Sequence, residues 1–228
     1  MSADKESRGY FRKEDVNDYI HLNKDGLIKL SNSEIPKERA IAVSLLTPFN
    51  NDNSLTKFLL DKWVSEDKLY VRLEIAKSLE NGNIDTARLM SDYILKIPTK
   101  QYKKVPSKPY SKKTYVIPRD LICRSLARMD ISIFPFILEL FDNKEILSEI
   151  IDVFGFMVYH NPELDTEDNL EFILSVLEDN KENELIYWKS TMALAGFSSK
   201  KAKIILEKIR DTASNEVISK EAERALSL

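Results

Sequence analysis

Few residues in this chain combine a reactive type with a spacing that chemistry requires. There are two histidines, His21 and His160, and one cysteine, Cys123. The histidines stand far apart, and neither has a second His, a Cys or a paired carboxylate at ligand spacing, so no metal site is expected. A single thiol can form no intramolecular disulfide and no cysteine-based zinc site. Cys123 sits in Asp120-Leu-Ile-Cys-Arg-Ser-Leu-Ala127 among Leu121, Ile122 and Leu126, where a buried structural thiol is expected. Arg119 and Arg124 would depress its pKa only if it were exposed. Acidic pairs such as Glu163/Asp165 and Glu167/Asp168 are common, but none has the apolar surroundings that tune a general acid. No Gly-x-Gly-x-x-Gly, Walker-type loop, Gly-x-Ser-x-Gly or His-Glu-x-x-His occurs. These residues name no catalytic group, metal or cofactor, and a non-enzymatic role is the expectation.

One segment does carry a chemical signature. From Lys96 to Lys113 the chain has seven lysines and no acid, a formal +7 against −10 for the rest. Tyr102, Tyr110 and Tyr115 are interleaved with them, and Pro98, Pro106 and Pro109 forbid a regular helix. Residues 98–117 are therefore expected to form a basic insertion loop. Projecting and flexible, it could set lysines on phosphates and tyrosines on bases, or engage an acidic protein surface. The alternative is a solvated insertion, or one that folds back on the acidic body. The candidate partner-binding residues are Lys100, Tyr102, Lys103, Lys104, Lys108, Tyr110, Lys112 and Lys113, with Arg124 and Arg128 on the helix that follows.

The rest of the chain must position that segment. It has 228 residues, 43% hydrophobic and 31% charged, with 34 basic and 37 acidic side chains and a net charge of −3. That balance excludes a protein coating nucleic acid over its whole surface, and the length can bury a core without disulfides or metal. Five glycines and eight prolines disfavour turn-dense β folds. The polar start shows no secretory signal. The longest strongly apolar stretch, Ile131–Leu140, is interrupted by Ser132, Pro135 and Glu139 and is too short to span a bilayer. A cytoplasmic protein without membrane association is expected.

Apolar spacing is helical nearly throughout. Leu55, Phe58, Leu59, Trp63 and Val64 recur at three- and four-residue steps, and so do Leu69, Leu73, Ala76 and Leu79, then Ala87, Met90, Ile94 and Ile97. The pattern predicts helices over 54–66, 69–79, 84–97, 119–129, 134–141, 144–158, 166–177, 184–195, 200–212 and 216–226. Caps are predicted at Ser54, Asp85, Thr166 and Ser199. A short strand over 114–117 is the one exception. Residues 1–34 are read as a polar capping segment, with a short helix over 15–22, a turn at Asp25-Gly26, and Tyr10 and Phe11 covering the first helix pair. Trp63 and Trp188 are placed in the core, with one of Tyr187 and Trp188 turned outward.

The helix pairs echo one another. Trp63-Val-Ser-Glu-Asp-Lys-Leu-Tyr-Val-Arg-Leu-Glu-Ile-Ala-Lys-Ser-Leu79 resembles a HEAT repeat, with Asp67 in the turn and Val71, Arg72, Ala76 and Leu79 on the second helix. Ile133–Asp142, with Pro135, and Asn169–Asp179 resemble first helices of the same unit. Gly155 and Gly196 near the ends of second helices are 41 residues apart, within the spacing of about 40–47 residues of such repeats. Glu38–Leu46 and Glu221–Leu226 resemble second helices near the two ends. The resemblance implies an all-α fold over residues 35–228, an armadillo-like α-α superhelix of about five degenerate HEAT-like pairs.

Such a scaffold implies binding to a protein partner through a curved helical surface. Glu74, Lys77, Arg124, Arg128, Glu149, Asp152 and Lys189 are the candidate polar positions on it. Alkylpurine DNA glycosylases share this architecture and approximate length. The alternative reading is therefore a nucleic-acid-binding HEAT-like protein using the Lys/Tyr loop. The chain lacks a Trp-Asp signature, since neither tryptophan precedes an aspartate, so the likeness is to architecture and not to an active site.

Overall fold

A computed structural model describes residues 3–97 and 101–228. Within them all regular structure is helical and no strand occurs. The helices are α1 (Ala3–Ser7), α2 (Lys24–Leu30), α3 (Pro36–Leu46), α4 (Asn53–Ser65), α5 (Leu69–Glu80), α6 (Ile84–Ser91), α7 (Leu121–Leu126), α8 (Phe134–Glu139), α9 (Leu147–His160), α10 (Glu167–Asp179), α11 (Glu184–Ala193), α12 (Lys200–Thr212) and α13 (Glu216–Leu226). No helix among the described residues is long and apolar enough to cross a membrane.

Local chemistry sets the boundaries. Thr166 and Ser199 cap α10 and α12 as predicted, each accepting from a backbone amide of the first turn. Two caps lie elsewhere. Asp52, not Ser54, accepts from the Ser54 and Leu55 amides at α4. Asn83, not Asp85, opens α6 in a reciprocal box with Thr86. Helix α6 also stops at Ser91, short of the predicted 97, and Leu95 takes a left-handed backbone with φ 67°. Ile94 and Ile97 stay buried in the turns that follow, so the apolar spacing persists where the helix does not. Residues 114–117 form no strand.

The N-terminal region departs further from expectation. Residues 13–16 make only a 3-10 turn, and the predicted Asp25-Gly26 turn lies inside α2. Asn23 accepts from the Gly26 amide there, which starts a helix through the glycine. Tyr10 lies edge-on to Tyr70 of α5, with ring centroids 5.2 Å apart. Gly9, at φ 93°, lies where a Cβ would stand 2.9 Å from Val71, so both conformation and space require glycine.

The chain forms two compact units. The described residues of Met1–Pro98 with Arg128–Ile133 make the first, and those of Thr99–Ala127 with Phe134–Leu228 the second. In the first, α3 packs on α2 and α5, and α4 on α5 and α6. Ile41, Val43, Leu46, Leu55, Leu59, Trp63, Val71, Ile75 and Leu79 fill its core. Arg39 forms a two-pronged ion pair with Glu66, both contacts 2.8 Å.

In the second unit α9 packs on α7, α8 and α11, α11 on α10 and α13, and α12 on α13. Helix α9 is buried on nearly every side, as an apolar helix at the centre of a unit must be. Phe154 lies amid Phe134, Phe141, Phe172 and Phe197, with ring centroids 5.5–6.3 Å away.

Candidate functional site

The basic segment does not project from the fold. Its described part, 101–117, is a strap lying on the second unit. At its start, the Gln101 side chain donates to Asp120 Oδ2 at 2.7 Å. Asp120 Oδ1 accepts from the amides of Ile122 and Cys123 at 2.9 and 3.0 Å. One buried carboxylate thus caps α7 and ties down the strap.

The tyrosines anchor the middle. Tyr110 stacks on Trp188 at 5.7 Å and 23°, and Tyr102 meets the same indole edge-on at 5.2 Å. The Tyr110 hydroxyl donates to that of Tyr102 at 3.1 Å, and the Arg119 guanidinium lies 3.9 Å from the centre of the Tyr102 ring. Burial, then the Tyr102 hydroxyl, hold the Tyr110 phenol far above its ordinary range, so it is a hydrogen-bond donor at any physiological pH. These rings pack inward. Their faces are not a free platform for bases.

Tyr115 closes the strap. It is buried against Tyr159, at 4.7 Å, and Phe156, at 6.3 Å, with its hydroxyl over Gly155 and no hydrogen-bond partner. Arg224 of α13 then donates to the Thr114 carbonyl at 3.1 Å and pairs with the buried Glu221. Burial raises the Glu221 carboxyl above its usual range, and Arg224 opposes it.

Beneath the strap lies a buried ion cluster. Lys189 Nζ donates to the Ser148 carbonyl at 2.8 Å and to Glu149 Oε1 and Asp152 Oδ2, each at 2.9 Å. Glu149 Oε2 and Asp152 Oδ1 have no hydrogen-bond partner. Burial pushes the Asp152 carboxyl up to about 6, with Glu149 raising it further and Lys189 and Arg119 opposing. Burial raises the phenols of Tyr110 and Tyr115, and the charge of Asp152 adds to it.

Seen from outside, the strap and α7 enclose a cleft of about 590 Å³ lined by Tyr110, Lys112, Tyr115, Ile117, Arg119 and Arg124, among others. Among the described residues three cations and no acid line it. Arg124 is oriented by donating to the Pro118 carbonyl at 3.0 Å, and Arg119 by stacking on Tyr102. Lys103, Lys104, Lys108, Lys112 and Lys113 are exposed. Lys103 and Lys104 share a shallow hollow with Glu182 and Glu184, so their field is partly compensated by the body.

The predicted binding residues are thus divided. Tyr102 and Tyr110 are anchors, Lys112 and Arg124 line the cleft, and Lys103, Lys104, Lys108 and Lys113 face solvent. Lys100 lies outside the described residues. Arg128 belongs to the first unit, paired with Glu80 at 3.6 Å. Of the positions assigned to a curved surface, Glu149, Asp152 and Lys189 are buried together instead, the one ammonium donating to a single oxygen of each carboxylate. Glu74 is partly buried and Lys77 exposed. Among the described residues no cluster of His, Cys, Asp and Glu could hold a metal ion.

Cys123 is fully buried, and burial holds its thiol well above the ordinary value. Sequence reasoning missed Trp188 as the seat of the strap, and the Arg224–Glu221 clasp. Gly155 was the available signal: glycine in the middle of a helix costs stability unless something approaches its backbone. Compared with known proteins, the chain matches no family model and no curated protein sequence.

Proposed function

We propose that this protein is a non-enzymatic interaction module of HEAT-like helix pairs, and that it holds an acidic segment of a protein partner along the strap of its second unit. The observation that carries the reading is the inversion of the strap: its tyrosines are consumed in packing while its lysines are turned to solvent. A basic strip fixed on an otherwise acidic chain is an electrostatic seat that need not be ordered on binding, which lowers the entropic cost of association.

Helix order supports the repeat reading. In the second unit α8 pairs with α9, α10 with α11 and α12 with α13, while α9, α11 and α13 pack in succession. In the first, α3 and α5 neighbour each other in the same alternating way. Gly155 and Gly196 approach the α9–α11 contact from opposite sides: a Cβ on Gly155 would stand 2.9 Å from Ala193, and one on Gly196 3.0 Å from Val158.

The second reading is nucleic-acid binding by the same lysines, in the manner of an architectural relative of the alkylpurine glycosylases. The acid-free run of lysines favours it. The inward packing of Tyr102 and Tyr110 opposes it, because single-strand binders stack bases on exposed rings. Fluorescence anisotropy separates the two, using a labelled acidic peptide and single- and double-stranded DNA and RNA at low and moderate salt. Binding of the peptide, abolished when Lys103, Lys104, Lys108, Lys112 and Lys113 are all replaced by Gln, supports the protein reading. Micromolar or tighter nucleic-acid binding that falls steeply with salt, with no peptide binding, would overturn it.

A further inference from the structure

The cleft between strap and α7 has a chemistry more selective than the lysine strip beside it. Arg119 and Arg124 are both held by neighbours before any ligand arrives, one by the Tyr102 ring and one by the Pro118 carbonyl. Guanidinium groups fixed in this way suit a multidentate oxyanion, since little rotamer freedom is lost on binding. Lys112 adds a third positive charge at the same opening. The remaining wall is aromatic and aliphatic, formed by Tyr110, Tyr115, Val116, Ile117 and Leu121. A plain carboxylate on a short stem would reach the cations but leave that wall in water. An oxyanion carried on a flat apolar body satisfies both, and a volume of about 590 Å³ has room for it.

We propose that this cleft is a binding site for a phosphorylated aromatic side chain, the phosphate lying between Arg119, Arg124 and Lys112 and the ring against Ile117 and Leu121. The inference rests on the protein-partner reading and sharpens it. The acidic segment held by the strap carries a phosphotyrosine, and the cleft reads that modification. A phosphate brings close to two negative charges at neutral pH and three acceptor oxygens, where a glutamate brings one charge and two.

Calorimetry on the full chain tests this with three probes: an acidic peptide containing phosphotyrosine, the same peptide with tyrosine, and phenyl phosphate alone. The phosphopeptide is expected to bind about tenfold or more tighter than its parent. Arg124→Gln should erase most of that difference and weaken the parent peptide far less than the phosphopeptide. Replacing Lys103, Lys104 and Lys108 by Gln should weaken both peptides alike. Circular dichroism of each variant confirms that the fold is kept, and Arg124→Lys, which keeps the charge without the fork, should restore only part of the gain. Equal affinity for the two peptides would overturn the inference and leave the partner reading standing. Binding of phenyl phosphate, lost in Arg124→Gln, with no binding of either peptide would overturn the partner reading and keep the site. Tighter binding of an equally charged oligonucleotide than of the phosphopeptide would overturn both.

Discussion

The hydroxyl of Tyr115 occupies the space that a side chain at Gly155 would fill. A Cβ there would overlap that oxygen and stand 2.9 Å from the Cα and Cβ of Ala193. Three segments meet at this point: the strap, α9 and α11.

Gly155→Ala is therefore expected to destabilise the protein. Alanine in a helix gains up to about 1 kcal/mol over glycine in propensity, but overpacking of this kind costs roughly 1–3 kcal/mol, and the backbone of Ala193 gives the clash no easy escape. Urea unfolding of Gly155→Ala, Tyr115→Phe and the double variant measures it. Tyr115→Phe alone should change stability by less than about 1 kcal/mol, since the buried hydroxyl has no partner to lose. The double variant should recover part of the loss, a coupling expected of residues in contact.

Trp188 is the seat of the strap, and Trp188→Ala should release it. The loss of a fully buried indole costs roughly 3–5 kcal/mol. Limited trypsin digestion gives the specific readout. In the parent, cleavage after Lys103, Lys104, Lys112 and Lys113 should be slow despite their exposure, because the backbone between them is pinned. In the variant those bonds should be cut first. Arg224→Met, which removes the clasp on Thr114, should speed cleavage only near Lys112 and Lys113.

Asp152 gives a pH signature. Its carboxyl is raised to about 6 in the fold, first by burial and then by Glu149, against the opposing Lys189 and Arg119. A carboxyl raised on folding contributes stability that is complete below its unfolded pKa and is lost as pH rises through the folded value. Asp152 should therefore favour the folded state at pH 4 more than at pH 7, with the change centred between about 4 and about 6. Asp152→Asn removes this component. The difference in urea midpoint between parent and variant should vary across that window and be flat above pH 7; a difference that is flat throughout would refute the assignment.

Arg39 and Glu66 of the first unit act in the opposite direction. Burial raises the Glu66 carboxyl, but Arg39 and the Lys68 amide outweigh it and hold it below its usual value. A depressed carboxyl contributes stability above its unfolded pKa and loses it as pH falls. Glu66→Gln should cost about 2–3 kcal/mol at pH 7, because the partly buried guanidinium loses its countercharge, and the cost should shrink below pH 4. Thermal melts at pH 7 and pH 3 measure both values.

How much of this was legible in the chain varies element by element. Helices α12 and α13 coincide with their predicted spans, since each is one amphipathic stripe between a capping residue and a break. Helix α6 ended early because burial of Ile94 and Ile97 is met equally well by a turn, and apolar spacing alone does not distinguish the two. The N-terminal helix α2 was hidden by Gly26, whose propensity argues for a turn until the Asn23 cap is counted.

The sequence by itself determined the all-helical class, the burial of Cys123, Trp63 and Trp188, and the concentration of positive charge in one proline-broken segment. Those properties are local: periodicity, composition and breaker residues act within a few turns of chain. Tertiary structure alone decided where that segment goes. Nothing local to Tyr102, Tyr110 or Tyr115 points to Trp188 or Gly155, which lie far along the chain on α11 and α9. Nor does local sequence show that Lys189 pairs with both Glu149 and Asp152. The physical reason is that a loop's conformation is fixed by the surface it covers, and that surface exists only once the helices from distant stretches have packed. Aromatic rings then leave water for the core, while lysines, which cannot be buried unpaired, stay at the surface.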